Sequence, residues 1–142
     1  MALPTKDEAF ERLEAYQQRL DEAAAQPGGR HDTLFDQAPP GVGLHEIDAK
    51  GTVKRVNRQE LEMLGRRAEE LLGQPVWQFS VMQDASRRAV DKKLAGGGLK
   101  PFVRTVAHGD GSGVTAAFVE RYLKDAKGNI VGIRTALMLI AG

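Results

Sequence analysis

The run His45-Glu46-Ile47-Asp48 places an imidazole and two carboxylates within four residues. Such groups do acid or base work, of the isomerase or dehydratase kind, when one sits in an apolar pocket beside an oxyanion donor such as Tyr122. Side chains alternate along a strand, so one of His45 and Glu46 faces the core and the other faces away. A buried ionisable group is either paired or functional. His31, after Gly28-Gly29, reads as an exposed linker residue, and His108, opening "HGDGS", as a solvent-facing turn residue. No His-x-x-x-His or comparable spacing offers a metal site. The chain has no cysteine, which removes disulfides, thiolate nucleophiles and Cys-ligated zinc or iron–sulfur clusters. "GDGSG" lacks the Lys-Ser/Thr of a phosphate loop and joins two strand-like runs, so it reads as a hairpin turn. Arg87, Arg88, Lys92 and Lys93 form a basic run without interleaved aromatics and read as a solvated helix face.

The elements that must position these groups follow from periodicity and punctuation. The chain of 142 residues is long enough for one domain with a core and short for two. Its 16 glycines fall largely between short runs, which argues against a helix bundle. Thr5-Lys6-Asp7-Glu8 has the form of a capping box, predicting an amphipathic helix to about Gln26, where Pro27-Gly28-Gly29 stops it. Two faces of that helix compete. Phe10, Leu13, Gln17, Leu20 and Ala24 form a heptad seam suited to a dimer, whereas Ala9, Leu13, Tyr16, Leu20 and Ala23 suit packing on the helix's own domain. "HDTLFDQAPP" suggests a short helical turn.

"GVGLHEIDAKGTVKRVN" reads as a hairpin about its "DAKG" turn, and Asn57 with Glu60 begins a short helix that Gly65 closes. "RRAEELLG" predicts a second short helix and "QPVWQFSVMQ" an irregular apolar stretch. Asp84 is placed as the cap of a third helix, "ASRRAVDKKLAGGG". From Lys100 the period changes to two, and three strand-like segments are separated by "GDGS" and a second "DAKG". The two copies of DAKG are therefore two turns of one sheet. The expected fold class is α+β, a five-stranded antiparallel sheet with short helices between strands 2 and 3 and an amphipathic N-terminal helix. Residues 1–29 are expected as helix and linker, and 30–142 as the domain proper.

These motifs, in this order, resemble the PAS domain family. Asp48, Gly51, Asn57, Leu64-Gly65 and Glu70-Leu71-Leu72-Gly73 occupy the places of its D-x-x-G turn, strand-ending Asn and two Gly-closed helices. His108-Gly109-Asp110-Gly111-Ser112 matches its "kDGS" turn, and Asp125-Ala126-Lys127-Gly128-Asn129-Ile130-Val131-Gly132 its turn into the last strand. The resemblance covers about residues 31 to 140. It implies a sensory or interaction module that is not an enzyme, with a pocket holding haem, flavin, a metabolite or nothing, and dimerisation through the helix before the first strand. As pocket residues it suggests His45, Glu46, Asn57, Trp77, Phe79, Met82, Phe118, Tyr122 and Leu137. Val106, Ala116 and Thr135 are further inner-face candidates, and the small pair Ala116-Ala117 either leaves room for a ligand or accommodates Trp77.

The absence of cysteine excludes thiol-adduct flavin photochemistry and a thioester-linked chromophore, while flavin without that chemistry stays open. Haem in the family's usual place is not expected, because "DASRRAVDKKLAGG" lacks the ligating His.

Three functions follow. The first is a dimeric signalling module whose ligand shifts the sheet and the N-terminal helix. The second is a ligand-free dimerisation or docking module using alternate positions of "IRTALMLI". The third is a small isomerase-like enzyme built on His45, Glu46 or Asp48 with Tyr122. "LMLIAG" stands where family members have a D-I-T-like motif leading to an output helix, so the output is expected in a partner or a missing domain. A net charge of +1 predicts neither nucleic-acid nor membrane partners. No apolar run nears the roughly 20 residues of a membrane span, and no signal-peptide core is present, so a cytoplasmic protein is expected.

Overall fold

In the computed structural model, which describes residues 2–141, the chain forms five helices, one 3-10 turn and five strands. Helix α1 (Lys6–Ala24) starts on the expected capping box: the Thr5 hydroxyl accepts from the Glu8 amide, and the Glu8 carboxylate accepts from the Thr5 amide. Helix α2 (His31–Asp36) precedes strands β1 (Gly43–Asp48) and β2 (Val53–Val56). Helices α3 (Arg58–Leu64) and α4 (Ala68–Leu71), a 3-10 turn (Val76–Phe79) and helix α5 (Gln83–Leu94) follow, then β3 (Phe102–Ala107), β4 (Gly113–Lys124) and β5 (Ile130–Leu139). No helix among the described residues is long and apolar enough to cross a membrane.

Both DAKG segments turn by one device. Asp48 Oδ1 accepts from the amides of Lys50 and Thr52, and Asp125 Oδ1 from those of Lys127 and Asn129. Gly51 and Gly128 then take φ near +85° and +83°, the left-handed region that favours glycine. Asn57 caps α3 as expected, accepting from the Glu60 amide, but Asp84 does not cap α5. That helix begins two residues earlier, at Gln83, with Met82 at its N-cap and no side-chain cap, leaving Asp84 in the first turn.

All strand pairs are antiparallel, in the order β2-β1-β5-β4-β3. Isolated bridges join Thr52 to Pro75 at one edge and Ser80 to Val106 at the other. The segment around the 3-10 turn therefore runs from one edge of the sheet to the other.

Strand alternation divides the core. The outer face carries Leu44, Ala117, Val119, Ala136, Met138 and Ile140, packed against Ala9, Leu13, Tyr16 and Leu20 of α1 and Phe35 of α2. The helix thus buries the 3.6-period face against its own sheet. Of the heptad seam, Leu13, Gln17 and Leu20 are fully buried within this chain, Phe10 is half-buried and Ala24 is exposed. The outward positions of "IRTALMLI" that offered a docking face are likewise covered by α1 and buried. Gln17 resolves its polarity there: its amide donates to the carbonyls of Val119 and Arg134, and its oxygen accepts from Arg134 Nε at 2.7 Å. Arg134, 2% exposed, also pairs with Asp21, which in turn accepts from Arg121. His31 departs from its expected exposed linker role. It is half-buried at the start of α2, with Nε2 3.4 Å from Arg134 Nη1.

Candidate functional site: the cavity under the sheet

The inner face is ordered in rows by strand register. Ile47, Ile133 and Tyr122 lie abreast, then His45, Thr135 and Glu120, then Gly43, Leu137, Phe118 and Phe102. A polar row is therefore held between two largely apolar ones. Helices α3 and α5 and the 3-10 turn cover this face without filling it. The cavity left between them has about 80 Å³ in which a water-sized sphere can be centred, room for several waters at roughly 10–15 Å³ each.

His45 settles the alternative left by the sequence: it faces this cavity, and Glu46 faces the other way. The His45 Nδ1 atom lies 2.7 Å from Glu60 Oε1, with His45 7% and Glu60 2% exposed, so this is a buried pair. Burial opposes charge on the ring, but the Glu60 carboxylate, aided by Glu120 and Glu46, outweighs it and raises the His45 pKa above its ordinary value of 6.5. With Nδ1 committed to Glu60, Nε2 makes no hydrogen bond to any described residue and is not sealed off as a buried orphan. It is free to meet a molecule in the cavity.

Glu120 is clamped from two sides. Oε1 accepts from Lys93 Nζ at 2.7 Å and Oε2 from the Thr135 hydroxyl at 2.7 Å. Lys93 also lies over the Phe102 ring, 4.0 Å from its centroid, and Phe102 stacks on Phe118 at 4.7 Å. Nearer the β3 edge, Arg104 Nη1 donates to Ser86 Oγ at 3.1 Å, and Ser86 shares a hydrogen bond with Ser80.

Of the residues expected at the pocket, His45, Trp77, Phe79, Phe118 and Leu137 line it. Glu46, Asn57, Met82 and Tyr122 do not. Glu46 is on the wrong strand face. Asn57 is structural: its oxygen accepts from Leu44 and Glu60 amides, and its Nδ2 donates to the carbonyls of Phe35 and Val42. Met82, 68% exposed, points to solvent. Tyr122 is on the inner face, but its hydroxyl donates to the Lys93 carbonyl and accepts from the Gly98 amide, fastening the end of α5. That engagement removes Tyr122 as the oxyanion donor beside His45, and Glu46 lies outside the cavity. Asp48 belongs to its turn; despite partial burial, the Thr52 and Lys50 amides hold its carboxyl below the usual range.

The other inner-face candidates, Val106, Ala116 and Thr135, are on that face. Ala117 is on the other, beneath α1, and Trp77 sits instead against Gly51, where a Cβ would come within 2.5 Å of its ring.

Glu60, Lys93, Arg104, Glu120 and Thr135 carry most of the site's polarity, and only Thr135 was a sequence candidate. Glu120 and Arg104 were findable, since they share strand parity with the inward Phe118 and Val106. Lys93 lies on the helical stripe of Ser86 and Val90 and is not part of the solvated face on which Arg87, Arg88 and Lys92 remain exposed. His108 is half-buried against Gly65, its Nδ1 accepting from the Asp110 amide, away from the cavity.

No protein-family model matches the chain, and none of the curated proteins matches it significantly. Solved structures do. The PAS domain of an HTR-like protein from Haloarcula marismortui aligns over 89% of this chain and 99% of its own, with 24% identity and a TM-score of 0.65. The PAS domain of the RpfR quorum-sensing receptor of Cronobacter turicensis, solved in complex with BDSF, aligns over 74% and 99%, with 20% identity and a TM-score of 0.61. A light-oxygen-voltage domain studied with a flavin analogue aligns over 78% and 84%, with 18% identity and a TM-score of 0.62. Sheet order, the placing of the short helices and these alignments agree: the chain has the PAS domain fold.

Proposed function

We propose that this chain is a cytoplasmic PAS-type sensory module whose cavity takes a small molecule and whose sheet reports occupancy to α1. The observation that carries this reading is the cavity itself, a partly polar space in which His45 Nε2 has no protein partner. A cavity whose function is only to be filled by its own core has no reason to hold a buried His–Glu pair beside unclaimed volume. The RpfR domain, solved with BDSF, supports the idea that this fold accommodates a small molecule. The light-oxygen-voltage domain keeps flavin among the candidates, without a thiol adduct, because the chain has no cysteine.

The route to α1 is short. Thr135 faces the cavity and its neighbour Arg134 faces α1, so a displacement of β5 by a ligand acts at once on the Gln17–Arg134–Asp21 cluster. The ligand must bind one arrangement of that cluster better than the other for any signal to pass. A homodimer through α1 uses the flank carrying Phe10 and Ala24, or exchanges α1 between protomers, because Leu13, Gln17 and Leu20 are already covered. The output lies in a signalling partner or in a further domain, and no catalysis is assigned to this chain.

Native mass spectrometry with an absorption spectrum, on protein freshly purified from its own host, tests the reading. A non-covalent adduct of small-molecule mass, lost on denaturation, is the expected result. Protein that is ligand-free from its host and takes up nothing from host extract contradicts it.

A further inference from the structure

We propose that the cavity selects a small organic monoanion, a carboxylate on an apolar aliphatic or aromatic body, with Arg104 as its anchor. This rests on the reading of the cavity as a ligand site and names the chemistry it takes.

The argument is one of charge pairing. Five arginines are buried or half-buried: Arg55, Arg66, Arg104, Arg121 and Arg134. Four have a carboxylate within salt-bridge distance, namely Asp32 and Asp36, Glu70, Glu14 with Asp21, and Asp21 respectively. Arg104 has none among the described residues. Its one hydrogen bond goes to the neutral Ser86 hydroxyl, and its guanidinium lies 4.9 Å from the Phe102 ring centroid. Lys93 is paired with Glu120, and His45 with Glu60 when its ring is protonated. The Arg104 guanidinium is thus the cation left without a carboxylate partner in a largely apolar space. A partly desolvated cation is stabilised most by an anion that enters with it, and a guanidinium keeps further donors free for a bidentate carboxylate.

The Arg104 side chain is also placed in advance. Ser86 is 2% exposed and fixes Nη1, while the stacked Phe102–Phe118 pair forms an apolar wall beside it. Next along the face come Leu137 and Val106, which suit hydrocarbon. In the polar row beyond them Glu120 and Thr135 are engaged with each other and with Lys93, and His45 keeps only Nε2 open. A dianion would meet the Glu60 and Glu120 carboxylates and be disfavoured. A neutral body of the same shape would leave Arg104 unmatched.

The test is a binding titration of the intact chain, stripped of any bound molecule by unfolding and refolding, followed by methyl and amide NMR. The probes are octanoate and 1-octanol, which share a body and differ in the charged head. Octanoate is expected to bind about tenfold more tightly than octanol, and Arg104→Gln to abolish that preference while octanol binding is unchanged. Arg104→Lys, which keeps the charge without the fork, should restore part of it and serves as the second variant if Arg104→Gln does not fold. Equal binding of both probes to the wild type, or an octanoate preference that Arg104→Gln and Arg104→Lys leave intact, overturns the anion assignment and leaves the ligand-site reading standing. Failure of both probes to shift the inner-face methyls of Val106 and Leu137 counts against the cavity as a site and overturns both.

Discussion

Arg134 and Thr135 are neighbours on β5, yet they belong to two different kinds of interior. Arg134 points into the outer layer, where α1 covers the sheet, and is bonded to Gln17 and Asp21. Thr135 points into the inner layer and donates to a Glu120 that borders open volume. The outer layer is apolar and filled, with one polar cluster whose members satisfy each other. The inner layer has comparable apolar walls but keeps a cavity and a polar row. One sheet thus carries a scaffold on one side and a receptor on the other, separated by the thickness of a strand.

The comparison is broken most readily by exchanging single side chains across that boundary. Arg134→Ala leaves the buried Gln17 oxygen without its partner and Asp21 with Arg121 alone, and should lower stability by about 3 kcal/mol in urea unfolding. Thr135→Ala removes one neutral donor and should cost about 1 kcal/mol. Leu13→Ala, fully buried beneath the sheet, belongs with the larger losses at about 2–5 kcal/mol. If Thr135→Ala were as damaging as Arg134→Ala, the two faces would not differ as described.

Added volume sharpens the contrast further. Ala117→Val forces methyl groups into the sealed contact with α1 and should cost about 1–3 kcal/mol. Val76→Ile places one methylene beside the cavity and should change the unfolding free energy little, by less than about 0.5 kcal/mol.

The outer layer was the more legible of the two in the sequence. A 3.6-residue face on α1 and a period of two in the strands identify which residues seal it, and both patterns are local. The two DAKG turns and the Asn57 cap were legible for the same reason, since each device closes within five residues. The inner layer was legible only where an aromatic or a histidine drew notice, as at Trp77, Phe79, Phe118 and His45. Glu60 and Lys93 escaped because a charged residue on a short helix ordinarily faces water. What turns them inward is the placing of α3 over β1 and of α5 over β4, which is tertiary. Asn57 was misassigned to the pocket because a buried polar residue fits a ligand contact and a structural cap equally well until its partners are known.

A smaller effect separates the layers by pH. The raised His45 pKa means that its contribution to stability is fully present below the unfolded value of about 6.5 and is lost as pH rises through the higher folded value. Stability should therefore decline over that window, and Glu60→Gln should flatten the decline. In the same variant, an NMR titration of the His45 ring should give a pKa lower than the wild type's, as burial is then opposed only by Glu120 and Glu46. An unchanged ring titration in Glu60→Gln would show that the pair does not set the charge of the cavity.

Amide hydrogen exchange along α1 tests the central claim most directly, that occupancy of the inner layer is felt in the outer one. Protein from its own host, carrying its bound molecule, is compared with the same protein stripped by unfolding and refolding. Exchange at Leu13 through Leu20, the stretch that carries Gln17, should differ between the two states, together with β5 on which Arg134 sits. Identical α1 protection, with the bound molecule shown to be present in one sample and absent from the other, would contradict the account and confine the ligand's effect to the cavity.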